Sequence, residues 1–320
     1  MEKEIKQTWF QRHLFDLLSY GGLAFCLVIF TILSGGRLWS AYNIGVLVQS
    51  TCVYVILAMG AVFVYSMGYM DISVGAQIGV YCILIIVVTN QTHSLLVGFL
   101  VILLISLLCS LVNGAVSVFL GLPSIVTSIF LSFIFSGIQA LYMEHTGTNS
   151  ISIDWDLSFF KQTPVMLAAI VAVAVVSIIL YNYTRLGKYV KAIGANERAV
   201  EQMGVNTTKW KALAYCFFGI CVATGALFLT ARTASAGKGT GSGYAMDIMV
   251  ALILGGMPLS GGMKSRISSS LVGSFTYIVL SNGLTLSGVK TTQVYVIKAL
   301  VFLVVILITS RKREGGVIPR

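Results

Sequence analysis

The chain has 320 residues, 57% of them hydrophobic and only 10% charged, with a mean hydropathy of +0.91 and a formal net charge of +10. Soluble domains average roughly 45–50% apolar and about 25% charged residues, which excludes a water-soluble enzyme domain, a disordered chain and a disulfide scaffold. From Ile72 to Met143 there is no Asp, Glu, Lys or Arg, a stretch that can hold three spans of about 20 residues each. An all-α, polytopic membrane protein is expected.

Taken in order, the amino terminus Met1-Glu-Lys-Glu-Ile-Lys6 leads into an apolar run that ends at Ser34-Gly35-Gly36 without a small-residue cleavage pattern. An uncleaved first span is expected there. Apolar runs bounded by Gly, Pro, Asn or charge then give about ten spans, near 14–33, 44–65, 74–89, 94–118, 124–143, 164–183, 210–231, 246–258, 266–286 and 292–310. The eighth is too short to cross unless Leu259–Gly262, or the Gly-rich segment before it, is drawn into the membrane. Short, Gly-interrupted segments of this kind line pathways in transporters.

With ten spans both termini share a side, and Lys and Arg concentrate on the cytoplasmic side. Placing the termini in the cytoplasm puts Lys3, Lys6, Arg12, Arg185, Lys188, Lys191, Arg198, Lys209, Lys211, Lys264, Arg266, Arg311, Lys312, Arg313 and Arg320 inside. Only Arg37, Lys161, Arg232, Lys238 and Lys290 fall outside, and Lys298 lies within the last span. The positive charge reflects this bias, and no basic, aromatic-interleaved patch suggests nucleic acid.

Gly68-Tyr-Met-Asp71-Ile72 is echoed by Gly243-Tyr-Ala-Met-Asp247-Ile248, with one inserted residue. The first copy follows span 2 and the second follows span 7, on opposite sides of the membrane in this topology. Two five-helix halves of inverted orientation, about 1–160 and 161–320, are the expectation for this single transmembrane domain, with a pathway at their interface.

Asp71 is the only acid between Asp16 and Glu144. An ionisable group at membrane depth is a functional candidate, and Asp also caps free N–H groups at helix starts. Ser73 and the Gly75-x-x-x-Gly79 spacing permit a close helix approach. Amides punctuate the apolar runs at Gln49, Gln77, Asn113, Gln139 and Asn282, where interhelical hydrogen bonding is the simplest role. As a set, Asp71, Ser73, Gln77, Asn113, Gln139, Asp247 and Asn282 could line a route for a hydroxylated solute or mark helix breaks, with Tyr65, Tyr69 and Tyr244 adding aromatic surface.

Between spans 6 and 7, Thr184–Trp210 is the longest and most basic inner loop. Asn196 is a good N-cap, Glu197 suits a first turn and Gly204 a C-terminal stop, so a helix of about seven residues is encoded. Alone it is marginal in water. It needs lipid headgroups or a cytoplasmic partner to pack on. The six cysteines sit in apolar runs and read as packing, the three histidines lie far apart, and no metal or catalytic constellation is found. Leu259-Ser-Gly-Gly262 resembles the start of the ATPase signature LSGGQ, yet no phosphate-loop spacing occurs and no loop is long enough for an ATPase domain.

Four blocks in order resemble the permease subunits of the ribose/simple-sugar class of ATP-binding cassette importers. They are Gly68-Tyr-Met-Asp71-Ile-Ser73-Val-Gly75; Val112-Asn113-Gly114 followed by Leu122-Pro-Ser-Ile-Val-Thr127; Thr184-Arg-Leu-Gly187 through Ala192-Ile-Gly194-Ala-Asn196-Glu197-Arg-Ala199; and Gly243-Tyr244 through Leu254-Gly-Gly-Met-Pro-Leu-Ser-Gly-Gly262. The chain departs from that family at Ala195, where many members carry a second glycine, at Asn206-Thr207, where many are more basic, and at Lys264-Ser-Arg266. The resemblance implies a permease in the bacterial cytoplasmic membrane with no cofactor of its own. It implies a separate cytoplasmic subunit that binds ATP and Mg, an extracytoplasmic solute-binding protein, a second permease chain, identical or related, and membrane lipid. It also implies that Gly194, Asn196, Glu197, Arg198, Glu201 and Gly204 form a coupling helix for the ATPase, and that the solute is a monosaccharide such as a pentose or hexose. A nucleoside or a branched-chain amino acid is the alternative solute. A secondary transporter with a proton or sodium site at Asp71 or Asp247 is the alternative mechanism.

Overall fold

The computed structural model describes residues 9–119, 123–258 and 260–310. Lys3, Lys6, Leu122, Leu259, the basic tail from Arg311 and the side chain of Arg12 lie outside the described residues. The described chain is helical nearly throughout. A helix α1 (Trp9–Leu33) and a short 3-10 turn (Arg37–Trp39) precede α2 (Ala41–Ser66), α3 (Val74–Thr92), α4 (Leu95–Phe119) and α5 (Ser124–Thr146). Strand β1 (Ser150–Ser152) and α6 (Ser158–Lys161) follow, then α7 (Thr163–Ile178), prolonged by a π turn to Tyr183, and α8 (Arg185–Gln202). The chain continues as α9 (Thr207–Thr233), β2 (Ser235–Gly237), α10 (Tyr244–Leu254), α11 (Ser268–Leu286) and α12 (Thr291–Ser310). A helix overlies each range read as a span, and among the described residues six are long and apolar enough to cross a membrane: α2, α3, α4, α5, α7 with its π turn, and α9.

Burial sorts these helices into layers. The apolar windows of α2 and α9 are 83% and 72% buried, against 11% for α7, so α2 and α9 form the core while α7 presents its apolar side chains outward, as a lipid-facing helix must. The two central helices are antiparallel: Leu57 meets Gly225, Gly60 meets Cys221 and the Phe63 ring lies 4.7 Å from that of Phe217. A side chain on Gly60 would stand 2.6 Å from Cys221, so this glycine sets how closely the helices approach.

Around this axis the packing repeats. The pairs α3–α4, α3–α5 and α4–α5 recur as α10–α11, α10–α12 and α11–α12, and α4–α9 recurs as α11–α2. The first helices break the pattern, since α1 packs on α11 and α7 on α2. The Gly-Tyr echo falls at equivalent places, between α2 and α3 and at the start of α10, and both glycines are left-handed, with φ of +79° at Gly68 and +85° at Gly243. Glycine is the residue that adopts this conformation without penalty.

Both breaks turn back into the bundle. Ile78, in the first turns of α3, reaches the same point on Gly225 as Leu57, well inside α2. Residues 234–243 leave the far end of α9 and return until Gly241 packs on the backbone of Gly75 and Gly79. Non-helical backbone at such depth must find internal partners. Thr240 N–H donates to Gly237 O at 3.0 Å, Ser242 N–H to Gly239 O at 3.1 Å, and the Thr240 carbonyl accepts from Gln139 Nε2 at 3.2 Å. The Gly-rich segment before the eighth range is therefore the part drawn inward. It leaves α10 with only 11 residues, about 16 Å, or half of a hydrocarbon core. At the Gly75–Gly79 spacing, Gly75 lies against this returning segment and against Ala245 in the first turn of α10, while Gly79 lies against the Thr240 carbonyl and Gln139 of α5.

Candidate translocation pathway and coupling site

The segment read as one short helix is longer than expected. Thr184 Oγ1 accepts from Leu186 N–H at 3.2 Å and opens α8, and Leu186, Val190 and Ile193 bury one face at helical spacing. At Asn196 (φ −162°, ψ 99°) the helix breaks. The Asn196 side chain accepts from Ala199 N–H at 3.1 Å, which caps a second helical piece that stops at the left-handed Gly204. Within that piece Val200 is buried and holds it down, while Arg198, Glu201, Gln202 and Met203 are exposed. Glu201 Oε1 accepts from Thr207 Oγ1 at 2.9 Å, tying the piece to the first turn of α9.

Glu197 is the inward-facing exception. Its Oε1 forms an ion pair with Lys211 on α9, and its Oε2 accepts from the Tyr69 hydroxyl at 3.2 Å. The Lys211 side chain is 6% exposed and stands 5.1 Å from the centre of the Tyr69 ring. Burial pushes the Tyr69 hydroxyl above its ordinary pKa, with Lys211 opposing that shift. Tyr69 therefore stays protonated as the donor. Two residues before the break, Gly194 lies against the Ser66 carbonyl and Gly262 N–H, and Gly262 N–H donates to Ser66 O at 2.8 Å. Three of the four sequence blocks thus meet at the end of α2, and any side chain at position 194 would overlap the Ser66 oxygen.

From Tyr69 the chain runs straight into a buried network. Met70 N–H donates to Ser124 Oγ at 3.1 Å. Asp71 Oδ1 accepts from Ser73 N–H at 2.8 Å and from Ser73 Oγ, and Asp71 Oδ2 accepts from Asn113 Nδ2 at 2.7 Å. Gln77 Nε2 donates to Ser73 Oγ at 2.6 Å, and Tyr81 donates to Gln77 Oε1 at 3.2 Å. Asp71 is 1% exposed. Its carboxylate fixes the α2–α3 break and ties it to α4. In this conformation it meets no open space.

The remaining candidates lie elsewhere. Gln139 joins α5 to Ala76 and Thr240. Asn282 donates to Asn43 Oδ1 at 3.0 Å, near the start of α2 and away from the others. Asp247, in the first turn of α10, accepts from Tyr54 at 2.8 Å. Sequence reasoning missed Tyr54, Tyr277 and Lys211 as members of these clusters. Asp247 and Tyr244 were already named from the sequence, and Lys298, a lone cation inside an apolar run, was a further signal of a second cluster.

A family model described as branched-chain amino acid transport system / permease component matches residues 43–309. The ribose import permease protein RbsC of Escherichia coli K12 is 28% identical over 316 residues, covering 93% of this chain and 95% of that protein. RbsC of Bacillus subtilis is 27% identical over 317 residues, covering 98% of each. The galactose/methyl galactoside import permease protein MglC of Escherichia coli K12 is 27% identical over 321 residues, covering 92% and 95%. No solved structure matches the chain. With the family match extending from the start of α2 almost to the end of α12, the chain belongs to this family of membrane transport permeases.

Proposed function

We propose that the chain is the permease subunit of an ATP-binding cassette importer for a monosaccharide, such as a pentose or hexose, in the bacterial cytoplasmic membrane. Relatives matched along nearly their whole length are ribose and galactose import permeases, which supports the substrate class. The observation that carries the mechanism is the exposed helical piece at Asn196–Gln202, whose Glu197 grips Tyr69 and Lys211 beneath it. A helix this short needs a partner to pack on. A cytoplasmic ATP-binding subunit, holding ATP and Mg, docks on Arg198, Glu201, Gln202 and Met203.

Displacement of that piece is passed by Glu197 to Tyr69, and from there to Met70 and Asp71. Asp71 holds the start of α3 through Ser73 and α4 through Asn113, and Ser124 of α5 holds Met70. Three helices that bear on the two re-entrant breaks therefore move with one contact. Rocking of the two inverted halves alternates access to a pathway shared with a second permease chain. An extracytoplasmic solute-binding protein delivers the sugar, and both termini are cytoplasmic.

The test is purification of the tagged chain in mild detergent with its co-purifying partners, followed by ATPase assay and mass spectrometry. An ATP-binding subunit crosslinking to a cysteine placed at Arg198 is expected. Sugar uptake driven by a proton or sodium gradient, with no ATP-binding partner recovered before or after crosslinking, would replace this reading with a secondary transporter.

A further inference from the structure

The coupling network does not use a second cluster, built around α10. Tyr54 lies at the middle of the 26-residue α2, and its ring stacks on Tyr244 at 4.8 Å between centres and 13° between planes. Its hydroxyl donates to Asp247 Oδ2 at 2.8 Å. Tyr277 of α11 lies 5.5 Å from Tyr54 and accepts from Lys298 Nζ of α12 at 2.7 Å. Asp247 interacts electrostatically with both Tyr277 and Lys298. Tyr54 and Tyr277 form a buried floor, at 8% and 1% exposure. Tyr244, Asp247 and Lys298 are only half-buried, and Tyr295 at the rim is 63% exposed.

An acid and an amine that are both partly open at mid-depth cannot face lipid, and such groups face a water-filled cavity or the bundle interior. Their charges are joined through tyrosine hydroxyls, so the site presents no net charge for an ion. It offers a carboxylate acceptor, an ammonium donor and flat aromatic faces, which are the polar anchors and apolar walls of a small-molecule site. A neutral ring with hydroxyls on its edge and C–H groups on its face matches all three. We propose that Tyr54, Tyr244, Asp247, Tyr277 and Lys298 form a mid-membrane transit site for one sugar ring.

This inference rests on the sugar-permease reading, and the experiment separates the two. The full transporter in native membranes carries Tyr244→Cys or, in case that substitution disturbs the stack, Tyr295→Cys, and is exposed to a charged, water-soluble thiol reagent beside the parent protein. The added cysteine should react, and D-ribose or D-galactose should slow the reaction, by about fourfold at three times the dissociation constant. Asp247→Asn added to Tyr295→Cys should abolish protection without changing the unprotected rate. No reaction, reaction that neither sugar slows, protection by L-leucine in place of sugar, or protection that survives Asp247→Asn would overturn the site. ATP-driven uptake of the same sugars is measured separately. Protection without uptake supports the site and defeats the importer reading, whereas uptake without protection does the reverse.

Discussion

Tyr69 and Glu197, 128 positions apart, meet through a 3.2 Å hydrogen bond that joins the exposed helical piece to the break between α2 and α3. It is one of few polar contacts that connect this surface to the interior, and it places a phenol between a surface carboxylate and the backbone that carries Asp71.

Removing the hydroxyl alone tests that linkage. Tyr69→Phe keeps the ring beside Lys211 and loses the donor to Glu197. In proteoliposomes with the ATPase and binding protein, ATP hydrolysis should persist while sugar moved per ATP falls about fivefold or more, the lower range of typical coupling energies. An unchanged ratio of uptake to phosphate release would remove Tyr69 from the route.

Glu197→Gln should cost stability as well as coupling. Lys211, with its side chain 6% exposed, would lose its countercharge, at about 1–3 kcal/mol, because the pair is only partly shielded from water. The melting temperature in detergent should drop. Adding Lys211→Met should recover it without recovering transport. If the double variant melts as low as the single one, the ion pair is not the reason.

At Gly194 the constraint is steric. Gly194→Ala drives a methyl group into the Ser66 carbonyl and should lower both folded yield and melting temperature. Gly137→Ala, where nothing stands within 4 Å, should leave both unchanged or slightly raised, since Gly within a helix costs about 0.5–1 kcal/mol relative to Ala. Equal behaviour of the two variants, compared by fluorescence-detected gel filtration, would contradict the close approach.

Asp71 offers a graded series. Asp71→Ala leaves Ser73 N–H and Asn113 Nδ2 buried without their acceptor, at about 1–3 kcal/mol for each such group. Asp71→Asn retains an oxygen for one of them. Thermal stability should therefore fall in the order wild type, Asn, Ala. Equal melting of the Ala variant and wild type would show that the network does not hold the break.

The amino-acid sequence by itself determined the composition class, the apolar runs and the local signals that start and stop helices. Asn196 caps and Gly204 terminates because capping and left-handed backbone are properties of a few adjacent residues. The eighth range was recognisably too short for the same reason: length and Gly content are local. The sequence did not foretell that α8 begins at Arg185, since a buried stripe of Leu186, Val190 and Ile193 acquires meaning only against the surface it covers. Nor could spacing pair Glu197 with Tyr69 and Lys211, or Tyr54 with Asp247. Those contacts depend on antiparallel packing of α2 and α9 and on how far the chain turns back at each break. Ionisable groups at depth must be matched with partners, and the choice of partner is made by helix packing across more than a hundred residues of chain.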